Sequence, residues 1–73
     1  MKVERIGQVI RRFREAKDWT LEDLARAADI PVSTITKIEH GDIKNPSIEK
    51  IAKIAKALDV SVDELINLVN NSK

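Results

Sequence analysis

TLEDLARAADIPVSTITKIEHG, residues 20–41, reads as two short helices joined by a tight turn, and the rest of the chain is legible as its support. The Thr20 hydroxyl is placed to accept from an early backbone N–H. Asp23, three residues on, is placed to reach back to the Thr20 amide, so a helix starts at Leu21. Leu24, Ala25 and Ala28 fall on one face of it, and the two alanines allow close approach of a neighbouring backbone. Asp29-Ile30-Pro31 ends this helix, because Pro31 disfavours helical geometry in the residue before it and has no amide to donate. Pro31 equally suits the start of the next helix, expected from Val32 to Glu39, with Gly41 supplying the left-handed C-terminal cap. Ile35 and Ile38 then point inward, and Ser33, Thr36, Lys37 and His40 form a stripe pointing out.

Two helices with so short a turn match a helix-turn-helix, whose second helix enters the DNA major groove. Ser33-Thr34-Ile35, Ile38-Glu39-His40-Gly41 and Asn45-Pro46-Ser47 follow in series. With them the chain resembles the Cro and phage-repressor (Xre-like) DNA-binding domains over about Val3 to Leu68. The resemblance implies an all-α, compact five-helix bundle of the lambda-repressor-like DNA-binding type. It also implies residue roles. Val32, Ser33, Thr36 and Lys37 hold the base-reading positions: Lys37 for guanine, Ser33 for several bases, and the methyls of Val32 and Thr36 for thymine. None is a bidentate reader, so discrimination is expected at about 1 kcal/mol per base. Thr20, His40, Lys44 and Asn45 hold phosphate-contact positions, with Arg11 and Arg14 flanking them. Capping and local backbone bonding are the competing reading for Ser33 and the preferred one for Thr34. Glu39, at the negative pole of its helix, calls for a cation, and the resemblance implies a structural ion pair with Arg14. Three positions depart from the family pattern. Leu21 stands where a glutamine is usual, Asp42 where a basic residue is frequent, and Asp29 where the turn glycine is usual.

Outward from the motif, Val3, Ile6, Ile10, Phe13 and Ala16 recur at helical spacing and predict a first helix from Val3 to Lys17. Trp19 reads as core beside Phe13 rather than as a base-stacking platform. Asp42 to Pro46 is a loop, and Ser47 caps a fourth helix to Leu58 with Ile48, Ile51, Ile54, Ala55 and Leu58 inward. Lys50, Lys53 and Lys56 lie along a solvated face. Ser61-Val62-Asp63-Glu64 is a second capping box, opening a fifth helix toward Asn70. Leu65 and Leu68 complete the core. Val62, Ile66 and Val69 form a second apolar stripe, to be covered either by a second copy of the chain as a dimer interface or by the first helix through Val9. Residues 1–70 make one domain with the motif at 20–41, and 71–73 are expected to fray.

At 73 residues the core is small, and 42% hydrophobic with 34% charged residues favours a compact helical bundle over disorder. There is no long apolar run and no secretory block, which predicts no membrane contact. The absence of cysteine fits a cytoplasmic protein. Net charge is only +1, but it is unevenly spread: +4 over residues 1–17, −4 over 18–43, +3 over 44–58 and −2 over 59–73. The acidic motif weighs against phosphate attraction and the basic flanks weigh for it.

Three function classes follow. The first is a transcriptional regulator, expected to be a repressor, that reads a near-palindromic site on double-stranded DNA as a homodimer. The second is a protein-interaction module that keeps the fold without reading DNA, favoured by the acidic motif, Leu21 and the fifth-helix stripe. An enzyme comes last: one histidine, no cysteine and no glycine-rich phosphate loop make up no catalytic set. No metal site, cofactor or small-molecule ligand is expected.

Overall fold

The computed structural model of the chain describes residues 5–70, with side chains described as far as residue 67. Within them run five helices, α1 (Ile6–Ala16), α2 (Leu21–Ala28), α3 (Val32–His40), α4 (Ile48–Leu58) and α5 (Val62–Asn70). This is the all-α five-helix architecture expected from the motif. Val3, the expected start of α1, and the tail Asn71 to Lys73 lie outside the described residues, as do the side chains of Leu68 and Val69.

Helix starts follow the caps. Thr20 Oγ1 accepts from the Asp23 amide at 3.1 Å while Asp23 Oδ2 accepts from the Thr20 amide at 2.9 Å. Ser47 Oγ accepts from the Lys50 amide, and Ser61 and Glu64 form the second reciprocal box. At the first cap, hydrogen bonding from the Thr20 amide, and next from the Thr20 side chain, holds the Asp23 carboxyl below its ordinary pKa. A depressed carboxylate pKa means stability that is present above the unfolded value, about 3.9, and is lost as pH falls through the folded value. Thermal melts between about pH 5 and about pH 2.5 are therefore expected to show the natural chain losing more stability than Asp23→Asn. A difference between the two that stays flat over this range would count against the capping box as a source of stability.

Helix ends share one device. Asp18, Asp29 and Asp59 each sit at positive φ, between 57° and 62°, just past α1, α2 and α4. The residue after each donates back into the helix: Trp19 to the Arg14 carbonyl, Ile30 to Ala25 and Val60 to Ala55. These are Schellman closures with aspartate in the left-handed place, a conformation this residue tolerates better than most. In each case the following apolar residue turns into the core, so the stop also anchors the loop. Gly41 closes α3 at φ 89°.

Two clusters make the core. Ile10, Leu24, Ala25, Ala28, Ile30, Ile35, Ile38, Ile54 and Leu58 join α1 to α4, and Val9, Ile51, Ala55 and Leu65 join α1, α4 and α5. Trp19 and Phe13 pack against the first, as expected for core residues. Two expected core positions are not buried. Ile48 is 69% exposed, because it is the first residue of α4 and sits at the edge of the arc centred on Ile51, Ala55 and Leu58. Ala16 is exposed for the same reason at the far end of α1, where Val9 and Ile10 carry the burial on two adjoining sides.

Candidate functional site

The main partners of α3 in the fold are α1 and α2, and one long side of it is left facing solvent. Ile35 and Ile38 are buried on the inner side, 0% and 1% exposed. Val32, Ser33 and Lys37 are exposed and Thr36 is half-buried, so the four expected readers share the outer side. Helical spacing arranges them as two adjoining rows, Val32 with Thr36 and Ser33 with Lys37, each pair one turn apart. The local bonding expected of Thr34 occurs instead at Thr36, whose Oγ1 donates to the Val32 carbonyl at 2.9 Å. Among the described residues Ser33 does not act as a cap: Pro31 stands at the N-cap of α3 with no side-chain bond.

Three contacts from α1 hold the C-terminal turn of α3. Arg14 Nε donates to Glu39 Oε2 at 2.8 Å and Nη2 to Oε1 at 3.0 Å, a bidentate pair with side chains 11% and 3% exposed. Arg14 Nη1 donates to the Trp19 carbonyl at 2.7 Å, tying the same guanidinium to the loop before α2. The Glu39 hydrogen bond is the main cause holding the Arg14 pKa above its ordinary value, so the guanidinium stays charged. Gly7 lies against the backbone of Ile38 and Glu39 so closely that a Cβ would overlap the Ile38 carbonyl oxygen. Arg5 lies over Gly41, where a Cβ would stand 2.8 Å from its Nη1.

Arg14 is thus engaged by both Glu39 oxygens and the Trp19 carbonyl, with little of its side chain open to solvent. Arg11 is exposed on α1, in a surface pair with Glu15 at 3.0 Å. Thr20, His40, Lys44 and Asn45 are all exposed. The loop after α3 is held by Ile43, half-buried against the core with its amide donating to the Lys37 carbonyl at 3.1 Å, and Lys44 and Asn45 turn outward beyond it. Sequence reading missed Arg5 as a residue of this region. It is 36 positions from Gly41, and nothing in its local pattern announces that neighbour.

The acidity of residues 18–43 is reduced by the fold. Glu39 is neutralised by Arg14, and Asp23 is occupied by the Thr20 amide with Arg26 Nη1 at 3.8 Å. Exposed acids remain at Asp18, Glu22, Asp29 and Asp42, off the outer row of α3. Leu21, where a hydrogen-bonding residue was the family expectation, packs against the main core cluster instead. At α5, Val62 is half-buried against the second cluster, in which Val9 meets Leu65, while Ile66 is 39% exposed; the Val69 side chain is outside the described residues.

Comparison with known proteins gives a consistent picture. Residues 10–65 match the sequence pattern of the family described as helix-turn-helix. The chain is 40% identical over 62 residues to the HTH-type transcriptional regulator SinR of Bacillus licheniformis, covering 85% of this chain and 56% of SinR. It is 42% identical over 65 residues to YazB of Bacillus subtilis strain 168, an uncharacterized HTH-type transcriptional regulator, covering 89% of this chain and 93% of YazB. A crystal structure of SinR in complex with DNA superposes with a TM-score of 0.80 at 39% identity, covering 84% of this chain and 97% of that one. The chain thus spans a little over half the length of SinR and nearly all of YazB.

Proposed function

Because the chain belongs to the helix-turn-helix family of transcriptional regulators, we propose that it is a sequence-specific double-stranded DNA-binding regulator that lays α3 in the major groove. The observation that carries this is the outer side of α3, where Val32, Ser33 and Lys37 are exposed beside a half-buried Thr36 on a helix packed against α1. A relative of 39% identity has been solved with DNA, which supports the same use of this fold here. Thr20, Arg11, His40, Lys44 and Asn45 contact phosphate, and the amides that open α2 add a site for one phosphate at the helix N-terminus. Arg14 and Glu39 mainly hold the reading helix in place, with any phosphate contact of Arg14 secondary.

The working form is a two-fold dimer that sets two α3 helices about 34 Å apart and reads a near-palindrome, occluding a promoter as a repressor. Ile66, with Val62 and Val69, supplies the contact between copies. The protein carries out no catalysis, needs no cofactor, metal or small-molecule ligand, and works in the cytoplasm. Among the described residues no helix is long and apolar enough to cross a membrane.

Selection from a pool of random duplexes across a salt series tests the proposal. Enrichment of a near-palindrome, with affinity falling steeply as salt rises, is the expected result. On the selected site, Lys37→Ala is expected to cost about 1 kcal/mol and relax one base position, whereas Lys44→Ala weakens all sequences alike and lowers the salt slope by about one. No enrichment, with weak binding at low salt only, would favour the interaction module presenting Ile66 and the exposed acids.

A further inference from the structure

Resting on the DNA-reading role above, we propose that Arg5 binds a DNA phosphate through a guanidinium that α1 carries to the C-terminal end of α3, over Gly41 and beside the loop of Lys44.

The backbone of Arg5 is anchored before its side chain is placed. Its amide donates to Gln8 Oε1 at 3.0 Å, and its carbonyl accepts from the Gln8 and Val9 amides at 3.0 and 3.2 Å, which fixes Arg5 as the N-cap of α1. Two residues on, Gly7 seats the same end of α1 against the backbone of Ile38 and Glu39. The side chain therefore starts beside the last turn of α3 and runs across Gly41, where a Cβ would stand 2.8 Å from Nη1 and 4.0 Å from Cδ. Gly41 thus serves twice: it takes φ 89° to close α3, and it leaves the space that the guanidinium occupies.

Arg14, on the same helix, gives its guanidinium to Glu39 and the Trp19 carbonyl. Arg5 does the opposite. It is exposed, and among the described residues no carboxylate pairs with it. An open planar fork of donors is matched to the oxygens of a phosphate. Its surroundings say where that phosphate lies. Gly41 opens the loop that turns Lys44 and Asn45 outward, and Asp42 is the one charged side chain of residues 41–43. Arg5 brings a cation from 36 positions away to a stretch whose own charge repels DNA. Held across Gly41 from an anchored backbone, it also gives up less freedom on binding than a loose surface arginine would.

The test is binding of the full chain to the duplex chosen by selection, from about 50 to about 200 mM salt. One lost phosphate contact lowers the slope of log affinity against log salt by about 0.9, so the advantage of the natural chain over Arg5→Gln is expected to shrink about 3.5-fold across that range, or about twelvefold where a dimer loses two contacts. The loss is expected to be alike for selected and random duplexes, because phosphates carry no sequence. Arg5→Lys, which keeps the charge, retains most of the slope. Lys53→Gln, an equal change of net charge on the solvated face of α4, leaves it unaltered. Thermal midpoints of Arg5→Gln and the natural chain are expected to agree within about 4 °C, as for other surface substitutions. A slope that Arg5→Gln lowers no more than Lys53→Gln overturns the phosphate contact while DNA reading stands. So does weaker binding at unchanged slope with a lowered melting midpoint, the record of a helix contact alone. If the natural chain selects no site, both readings fall.

Discussion

Arg14→Ala destabilises the domain by roughly 3–5 kcal/mol, the range for removing one partner of a buried ion pair. The reason lies in what is left behind. Glu39, 3% exposed and accepting two bonds from Arg14, would be left buried without a partner, at a helix end whose dipole disfavours a carboxylate. The Trp19 carbonyl would lose its 2.7 Å donor at the same time. At about 4–8 °C per kcal/mol for a chain of this size, thermal denaturation should show the midpoint lower by at least about 12 °C. Arg14→Lys recovers part of this, since one ammonium cannot serve both Glu39 oxygens and the Trp19 carbonyl in the planar geometry a guanidinium offers. Joint replacement of Arg14 and Glu39 by apolar residues of similar volume should recover most of it, because no charge is then stranded. A melting midpoint for Arg14→Ala within about 2 °C of the natural chain would show that the pair is not what fixes α3 to α1.

The second large effect is expected where side-chain chemistry is absent altogether. Gly7→Ala would gain about 1 kcal/mol on a solvent-facing helix, because alanine is the better helix former. Here the added Cβ falls on the Ile38 carbonyl oxygen and lies 3.0 Å from the Glu39 Cα, and backbone atoms do not swing aside as a flexible side chain would. Relief requires α1 and α3 to separate, which loosens the packing of Ile10 against Ile35 and Ile38 and stretches the Arg14–Glu39 contact. Overpacking of this kind costs about 1–3 kcal/mol or more, and with backbone on both sides the upper end wins over the propensity gain. Urea unfolding with an unchanged slope and a lower midpoint is the expected record. A Gly7→Ala chain as stable as the natural one would mean that the two helices have slack at this crossing. Since α3 is the proposed reading helix, the same variant is also expected to weaken selection of the operator at temperatures where it remains folded.

Local chemistry made much of this readable in advance. Thr20 with Asp23, Ser47, and Ser61 with Glu64 set helix starts, and Gly41 set an end, because capping involves residues within four positions of one another. Leu24, Ala25, Ala28, Ile35 and Ile38 were identifiable as core from helical period, and that left Ser33, Thr36 and Lys37 as the outer stripe. The aspartates at residues 18, 29 and 59 were less legible as a common stop, since each needs its following apolar residue to find the core before the closure is worth its strained backbone.

Thus the sequence by itself determined the five helices, the starts at Thr20, Ser47 and Ser61, the end at Gly41 and the outer side of α3, all properties of short-range hydrogen bonding and periodicity. Only the tertiary structure decided that Gly7 is the crossing point of α1 and α3 and that Arg5 lies over Gly41. It alone buried Arg14 against Glu39 and the Trp19 carbonyl, left Ile48 outside the core, and turned the Thr36 hydroxyl to the helix backbone. Most of these depend on pairs tens of residues apart or on where one helix overhangs another. The Thr36 bond spans only four residues, but the chain alone pointed to Ser33 and Thr34 for local backbone bonding, and the structure shows it at Thr36.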